Sequence, residues 1–465
     1  MSTALQRTYL ELARIEGPIV VVDGATGVGF GELVEIQDPA GAKRTGQVLE
    51  ISSDAAVVQV FEGTQGLATR DVTVRFLGRG FEVAVGEEML GRVFDGLARP
   101  RDGAPEPVGD KRVDVNGMPM NPASRRYPRD FIQTGVSSID GLNTLVRGQK
   151  LPIFSGAGLP HNQLAAQIVR QAKIVGEDVR FAVVFAGMGL RQDEAAFFTE
   201  SFEMSGALAN VAMFLNMADD PSVERIITPR AALTLAEYLA YEKDYHILVV
   251  MTDMTNYAEA MREIAAAREE IPSRKGYPGY LYSDLASLYE RTGRVEGSEG
   301  SITQLPVLTM PNDDITHPIP DLTGYITEGQ IVLGRDLHQK GAYPPVFVLP
   351  SLSRLMKDCI GEGKTRDDHP NLASQVYALY AAAQGVRSLA SIVGEEELSE
   401  SDRRILEFSD RFEREFVAQG EMEDRPIERT LDLAWSLLAA IPRAELTRVR
   451  NEEIDRYMTD VGGLS

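Results

Sequence analysis

Residues 149–172 of this 465-residue chain read Gln-Lys-Leu-Pro-Ile-Phe-Ser-Gly-Ala-Gly-Leu-Pro-His-Asn-Gln-Leu-Ala-Ala-Gln-Ile-Val-Arg-Gln-Ala. A short apolar run ends at Phe154, a glycine-rich turn follows, and a helical pattern begins near Asn162. This order of strand, turn and helix is typical of a phosphate-binding loop, whose pattern is G-x-x-x-x-G-K-[ST]. Taken alone, the segment fits an ordinary strand–turn–helix about equally well.

The loop lacks the residues that carry the chemistry of that pattern. Ser155 and Pro160 stand at the two glycines, and His161 and Asn162 replace the lysine and the hydroxyl residue. The lysine brings a fixed positive charge to the phosphates, and the hydroxyl holds magnesium. A histidine is mostly neutral at pH 7, and asparagine is a poor substitute for the metal-binding hydroxyl. A proline also removes one backbone N–H from the phosphate cradle.

Composition and charge argue against several classes of function. The chain is 43% hydrophobic and 25% charged, as in soluble globular proteins, and its length predicts two or three domains. A net charge of −22 argues against binding to nucleic acid or anionic lipid headgroups. One cysteine, Cys359, and five scattered histidines show no metal-ligand spacing, so we expect no metal site. No run approaches about 18 apolar residues, so we expect no direct membrane insertion.

The N-terminal region, residues 1–78, has the texture of a small β-barrel. Short runs rich in Val, Ile and Gly are separated by turn signals such as Asp23-Gly24. The predicted strands cover residues 9–22, 31–36, 45–51, 55–61 and 72–76. Strands at this spacing suit a barrel or a sandwich, and we favour the barrel.

Residues 79–350 alternate short apolar runs with helical stretches, which predicts a central α/β nucleotide-binding-type domain of the P-loop (RecA-like) class. The runs at 181–185 and 247–251 are typical of strands buried on both faces of a parallel sheet, and 193–204 and 231–241 have helical spacing. Past residue 350 the strands stop. Helical stretches at 372–393, 401–419 and 427–440 predict an α-helical C-terminal domain over residues 351–465.

Two positions in the central region bear on catalysis. The strand at 247–251 is followed by Asp253, which suits either a carboxylate near a nucleotide's magnesium or, more commonly, the N-cap of the next helix. After the strand at 181–185, an NTPase of this layout often carries a glutamate that orients water. This chain has Leu190 there, which cannot accept a proton. Together with His161 and Asn162, this predicts that the chain alone does not hydrolyse nucleotides.

Arg354 is a basic residue at the junction between the central and helical regions. The short segment from Pro350 suits a rigid turn that presents this side chain outward. A planar, permanently charged guanidinium suits the stabilisation of a transferring phosphoryl group. For any single arginine, however, a surface salt bridge is the commoner role.

Five segments together resemble the B-subunit family of V-type (archaeal and bacterial) rotary ATPases and ATP synthases over essentially the whole chain. The segments are residues 130–149 (DFIQTGVSSIDGLNTLVRGQ), 154–162 (FSGAGLPHN), 274–291 (RKGYPGYLYSDLASLYER), 350–356 (PSLSRLM) and 388–402 (SLASIVGEEELSESD). The resemblance implies the barrel, nucleotide-binding and helical domains described above. It also implies a head of three A and three B subunits, in which the catalytic site belongs to the A subunit and lies at an A/B interface.

For individual residues, the resemblance implies that Arg354 is an arginine finger that reaches the ATP on the catalytic A subunit. ATP or ADP with magnesium would then be held mainly by that partner, because the B-type loop is naturally degenerate. The loop residues with weak binding capacity in cis are Ser155, Gly156, Gly158, Pro160, His161 and Asn162. The residues that the resemblance places against the central rotor shaft are Glu395, Glu396, Glu397, Leu398, Ser399 and Glu400.

The expected function is therefore that of a non-catalytic regulatory subunit, which couples ATP synthesis or hydrolysis to transmembrane transport of protons or sodium ions. The family also implies peripheral-stalk subunits at the N-terminal barrel and a peripheral position on the cytoplasmic face of a membrane. Two other classes stay open: a catalytically competent hexameric P-loop ATPase of related fold, and an assembly scaffold that binds no nucleotide. Weak regulatory binding of ADP or ATP by the degenerate loop is open as well.

Overall fold

A computed structural model describes residues 7–117, 120–174 and 179–458. The chain forms two compact units, one made of Met1–Met120 with Ala182–Arg291 and the other of Asn121–Phe181 with Thr292–Ser465. The predicted domain boundaries at residues 78 and 350 stay a prediction. Residues 1–6 and 459–465, which belong to the predicted outer domains, lie outside the described residues.

The first unit begins with antiparallel strands, and from the third strand onward apolar residues that alternate with polar ones bury one face. The strands are β1 (Arg7–Glu11), β2 (Arg14–Glu16), β3 (Ile19–Asp23), β4 (Leu33–Gln37), β5 (Lys43–Ile51), β6 (Ala55–Val60) and β7 (Arg70–Phe76). Hydrogen bonds join them in the order β1–β7–β4–β5–β6–β3–β2. Only Leu12 and Ala13 separate β1 from β2, so the two ends of this path meet. The sheet closes into the predicted barrel around a core of buried side chains.

The barrel differs from the sequence prediction at its first strand. Residues 9–22 were expected to form one strand, but they contribute to β1, β2 and β3. Gly17, with φ of +54°, makes the turn between β2 and β3, which pair from Glu16 opposite Ile19. A glycine adopts this left-handed conformation at little cost, and a proline follows it in the turn.

The remaining strands and helices alternate, as the sequence predicted. The strands are β8 (Glu82–Val85), β9 (Val93–Asp95), β10 (Lys111–Asp114), β11 (Arg125–Arg126), β12 (Phe131–Gln133), β13 (Leu145–Val146), β14 (Ile153–Gly156), β15 (Lys173–Ile174), β16 (Phe181–Leu190), β17 (Val211–Met217), β18 (His246–Thr252), β19 (Gly293–Val295), β20 (Ser301–Met310), β21 (Gly329–Val332) and β22 (Leu352–Ser353). The α-helices are α1 (Ser137–Asp140), α2 (His161–Gln171), α3 (Gln192–Ser205), α4 (Ser222–Lys243), α5 (Met254–Ala267), α6 (Leu281–Tyr289), α7 (Pro318–Ile326), α8 (Arg335–Gln339), α9 (His369–Val393), α10 (Glu400–Arg411), α11 (Ile427–Leu438) and α12 (Asn451–Glu453).

In the first unit, the strands run in the order β18–β16–β17–β9, with β17 parallel to both β16 and β9. The residues of β17 and β18 are all buried, as expected of strands covered on both faces. The strand predicted at 181–185 is longer than expected, because β16 continues to Leu190. Glycines at 187 and 189 interrupt the apolar run, but the parallel ladder with β17 continues past them, with a register shift near Gly189.

In the second unit, the strand order is β22–β21–β14–β20. Strand β14 is parallel to both of its neighbours, β20 and β21, whereas β22 is antiparallel to β21. Helices α9, α10 and α11 confirm the helical C-terminal region. The predicted helix at 401–419 changes to a π-helix over Phe412–Val417. The guanidinium of buried Arg425 donates to the carbonyls of Glu415, Phe416 and Ala418 at 2.9–3.1 Å, which caps this helix end.

Candidate functional site

The degenerate loop joins β14 to α2 in the second unit, as the sequence predicted. Ser155 is buried at the end of the strand, whereas Ala157 and Gly158 in the turn are exposed. Gly158 has φ of +79°, a conformation that favours glycine. Pro160 is the N-cap of α2 and provides no side-chain capping hydrogen bond. The strand–turn–helix layout of a phosphate loop is therefore present, but the lysine and hydroxyl side chains of the pattern are not.

The imidazole of His161 contacts the loop itself. Its Nδ1 lies 3.0 Å from the Ser155 hydroxyl and 3.0 Å from the Leu159 carbonyl. A proton on Nδ1 suits both contacts, since the Ser155 hydroxyl in turn donates to the Gly156 carbonyl at 3.2 Å. The residue at the lysine position is thus engaged in holding the turn, whereas the lysine of the pattern extends to phosphates.

A surface ion pair fastens the outer side of the loop. The Arg335 guanidinium binds both carboxylate oxygens of Asp313, at 2.6 and 2.9 Å, and donates to the Ala157 carbonyl at 3.0 Å. This arginine holds the pKa of the Asp313 carboxyl below its usual range. A Cβ at Gly156 would lie 2.1 Å from the Asp313 Oδ1, so a side chain at this position would displace the ion pair. The loop is therefore clamped in its present shape by groups of its own chain.

These residues fit a magnesium–nucleotide complex poorly. The positions of the lysine and the hydroxyl carry His161 and Asn162, and the nearby guanidinium of Arg335 is already neutralised by Asp313. Within residues 7–117, 120–174 and 179–458, no cluster of three or more His, Cys, Asp or Glu side chains is arranged to hold a metal ion. The loop offers backbone N–H groups to an anion, but no fixed cation and no magnesium-binding hydroxyl.

The two positions of the first unit that bear on catalysis occupy strand ends. The Asp253 Oδ1 accepts a hydrogen bond from the Thr255 backbone N–H at 2.8 Å, at the start of α5. This confirms the N-cap interpretation, whereas a role of Asp253 toward magnesium stays a prediction. Leu190 is buried at the last position of β16. Its side chain offers no acceptor for a proton.

Arg354 lies immediately after β22 and is exposed. Its backbone N–H donates to the Glu328 carbonyl at 2.9 Å, and its Nη1 donates to the Thr327 carbonyl at 3.2 Å. In the part of the chain that the structure describes, this guanidinium makes no ion pair, so the commoner role of a surface salt bridge does not apply to it there. The second unit thus presents a fixed positive charge with most of its donors available.

The acidic segment lies between α9 and α10. Glu395–Glu397 form a 3₁₀ turn, and Ser399 is the N-cap of α10, where its Oγ accepts from the Asp402 N–H at 3.1 Å. The side chain of Leu398 is 5% exposed, whereas those of its neighbours are exposed. The carboxylates of this segment are therefore exposed, and the buried Leu398 fixes the segment to the protein.

Sequence reasoning missed the supports of both regions. It identified neither the pair of Arg335 with Asp313 nor the pair of Lys150 with Glu328, which lies beneath Arg354. The available signal was weak. The polar pair Gln149-Lys150, which only Leu151 and Pro152 separate from the apolar strand β14, indicates buried polar partners, but nothing in the sequence identifies those partners.

A search of the described ranges finds no helix that is long and apolar enough to span a membrane.

The geometry defines a nucleotide-binding-type protein with a barrel, an α/β core and a helical C-terminal region. Family models match in the same order: the β-barrel domain of the ATP synthase alpha/beta family at residues 12–78, the nucleotide-binding domain of that family at 135–353, and the C-terminal domain of V and A type ATP synthase at 358–458. The chain therefore belongs to the ATP synthase alpha/beta family, within its A-type and V-type B-subunit (beta-chain) group.

Similar proteins cover nearly the whole chain. The B subunit of the A-type ATP synthase of Aeropyrum pernix is 62% identical over 451 residues, 97% of each chain. The V-type ATP synthase beta chain of Halothermothrix orenii is 62% identical over 453 residues, 97% of this chain and 98% of its own. Among solved structures, the ATP synthase subunit NeqB of Nanoarcheaum equitans matches with a TM-score of 0.73 at 40% identity, covering 91% of this chain and 98% of its own.

Proposed function

We propose that this chain is the non-catalytic regulatory subunit of a rotary ATP synthase head, and that Arg354 acts in trans as an arginine finger. In this proposal the reacting nucleotide, with its magnesium, is held by a catalytic partner, the A subunit. Three copies of each chain alternate around the head. This chain binds the catalytic partner and positions Arg354, and its own loop carries out no chemistry.

One observation carries the proposal. Arg354 is an exposed guanidinium whose backbone and Nη1 are fixed by the carbonyls of Glu328 and Thr327, and it has no carboxylate partner among the described residues. A fixed and uncompensated cation at a surface suits charge that develops on a phosphoryl group of a neighbouring molecule. A surface salt bridge would have consumed the same charge within the chain.

The degenerate loop supports the same division of labour. His161 is bound to Ser155 and Leu159, and Arg335 is bound to Asp313, so the basic side chains at the loop bind groups of their own chain. A nucleotide in this loop would have no lysine and no hydroxyl for magnesium. Binding of ADP or ATP there would be weak and regulatory.

The other parts of the chain then take the remaining roles of such a subunit. The exposed carboxylates of Glu395, Glu396 and Glu397 would face the central rotor shaft, and the barrel would bind the peripheral stalk. The head would lie on the cytoplasmic face of a membrane. Opening and closing of the interface with the catalytic partner would couple ATP synthesis or hydrolysis to transport of protons or sodium ions through a separate membrane sector.

The test is the rate of ATP hydrolysis by a head reconstituted from this chain and its catalytic partner. We expect Arg354→Ala to lower kcat by about 10³–10⁵-fold, the range typical of arginine fingers, and to leave assembly intact. Arg79→Ala is the matched control, because this exposed arginine is paired with Glu82 at 2.8 Å. An assembled Arg354→Ala head with near-normal turnover would refute the proposal.

A separate measurement addresses the alternative of a self-sufficient ATPase. The purified chain, given magnesium and ATP without its partner, should release no phosphate. Its loop lacks a lysine, and Leu190 cannot serve as a base. Steady phosphate release that His161→Ala abolishes would favour the alternative.

A further inference from the structure

The turn that presents Arg354 is supported from below by a buried lysine. The Lys150 side chain is 3% exposed, and its Nζ lies 3.1 Å from the Glu328 Oε1. The other carboxylate oxygen of Glu328 accepts from the Lys150 backbone N–H at 2.8 Å, and the Glu328 N–H donates to the Lys150 carbonyl at 3.1 Å. Lys150 and Glu328 are thus joined by an ion pair and two further hydrogen bonds.

Glu328 transmits this anchoring directly to Arg354. Its carbonyl accepts the Arg354 backbone N–H at 2.9 Å and also the Gln149 Nε2 at 3.3 Å. The preceding residue, Thr327, provides the carbonyl that binds the Arg354 Nη1. Two adjacent peptide groups, at 327 and 328, therefore determine both where the arginine backbone lies and where its guanidinium rests.

The backbone around this turn is packed too tightly to shift freely. Gly329 has φ of +138°, and a Cβ there would lie 1.9 Å from the Leu352 carbonyl oxygen. Gln149 also donates to the Ser353 Oγ at 3.0 Å, and that hydroxyl donates to the Thr144 carbonyl at 2.8 Å. Hydrogen bonds therefore fix Ser353, and close packing fixes Gly329. The Lys150–Glu328 ion pair is the charged element of this support.

We infer that Lys150 and Glu328 are positioning residues for the phosphoryl-transfer reaction, acting through Arg354. The inference rests on the proposed function of Arg354. Neither residue contacts nucleotide in this scheme; the pair fixes the turn at 327–329 so that the guanidinium enters the partner's site in one orientation. Displacement of a reacting group by about 1 Å can cost about a hundredfold in rate, which sets the scale of the effect.

The experiment uses the assembled head and three variants of this support. They are Lys150→Met, which keeps the apolar stem, Glu328→Gln, and the double variant Lys150→Met/Glu328→Gln, which removes both charges of the pair. We expect kcat to fall about ten- to hundredfold in the double variant, with KM for magnesium–ATP within about twofold of the parent. Lys173→Met, which removes an exposed lysine paired with Asp424 at 2.8 Å, is the matched control and should leave kcat unchanged.

A double-mutant cycle with Arg354→Lys shows whether the support acts through the arginine. If it does, adding Lys150→Met/Glu328→Gln to Arg354→Lys should lower kcat by less than twofold further, because the guanidinium to be positioned is already gone. Multiplicative losses would overturn the inference, and so would unchanged kcat in an assembled double variant. Near-normal turnover of Arg354→Ala would instead overturn the proposed function, so the two failures are distinguishable.

Discussion

The loop at 155–162 and the turn at 327–329, which holds Arg354, lie in the same unit and use charge in opposite ways. In the loop, Arg335 is neutralised by Asp313, and His161 is bound to its own turn. In the turn, an ion pair between buried Lys150 and partly exposed Glu328 supports the backbone from below, and Arg354 remains exposed without a carboxylate partner in the described chain. The comparison indicates that Arg354 is available to a neighbouring molecule because a separate ion pair, Lys150–Glu328, holds the backbone of the turn.

After that of Arg354→Ala, the largest expected effect is that of Arg354→Lys, which tests whether the exposed charge must be a guanidinium. Arg354→Lys keeps the positive charge but loses the planar fork that binds two oxygens at once. We expect kcat of the reconstituted head to fall by about a hundredfold or more, with assembly unchanged. Stopped-flow measurement of phosphate release provides the test, and a variant within about threefold of the parent would show that a point charge is sufficient.

The next effect concerns the pH dependence of stability that comes from His369, which is fully buried, unlike the partly buried His161 of the loop. The His369 Nε2 donates to the Gly141 carbonyl at 2.9 Å, and its Nδ1 accepts from the Thr365 hydroxyl at 3.0 Å. Burial lowers the pKa of His369 to about 4, against the hydrogen bond to Gly141, which acts to raise it.

Because this pKa is lower in the folded chain than in the unfolded chain, the unfolded state binds the proton first as pH falls. The contribution of His369 to stability is therefore complete above about pH 6.5 and is lost progressively down to about pH 4, a total of about 3 kcal/mol. Urea unfolding at several pH values should show a smaller decline over this window for His369→Gln than for the parent. Parallel curves for the two would contradict the assignment; His338→Gln, at an exposed histidine, controls for loss of a histidine as such.

The smallest effect concerns restoration of the loop. The triple variant Pro160→Gly/His161→Lys/Asn162→Thr returns the lysine, the hydroxyl and one backbone N–H. We expect the isolated chain to bind magnesium–ATP roughly tenfold more tightly by calorimetry, since a charge-assisted hydrogen bond is worth about 1.5–3 kcal/mol. Turnover should stay absent, because Leu190 is unchanged. ATP hydrolysis by the triple variant would show that the loop alone separates this chain from an enzyme.

Much of the fold could be predicted because its signals are local. The alternation in residues 31–76, the apolar runs at 181–185 and 247–251, and the helical spacing at 427–440 each follow from a few consecutive residues. Two errors show where local preference is insufficient. Glycines at 187 and 189 interrupt the apolar run, but the ladder with β17 extends β16 to Leu190. The helix at 401–419 changes its hydrogen-bonding pattern over Phe412–Val417, and Arg425, seven to ten residues further along the chain than the carbonyls it binds, caps its end.

The candidate site was predicted only in part. The altered loop with His161 was identified from residue type and spacing, whereas the family resemblance singled out Arg354. Neither signal reveals Lys150 and Glu328, because they lie far apart in sequence and meet only when β14 and β21 become neighbours. An ion pair between a lysine and a glutamate is common in proteins, and only the position of this pair beneath Arg354 indicates a role.

The most direct test of the central claim is a structure of the assembled head with magnesium and a non-hydrolysable ATP analogue. We expect the Arg354 guanidinium to leave the Thr327 carbonyl, or to share it, and to donate at about 2.7–2.9 Å to a phosphate oxygen in the catalytic partner's site. Lys150 and Glu328 should keep their present pairing. An Arg354 side chain paired with a carboxylate of the neighbouring chain, with no phosphate in reach, would rule out an arginine finger.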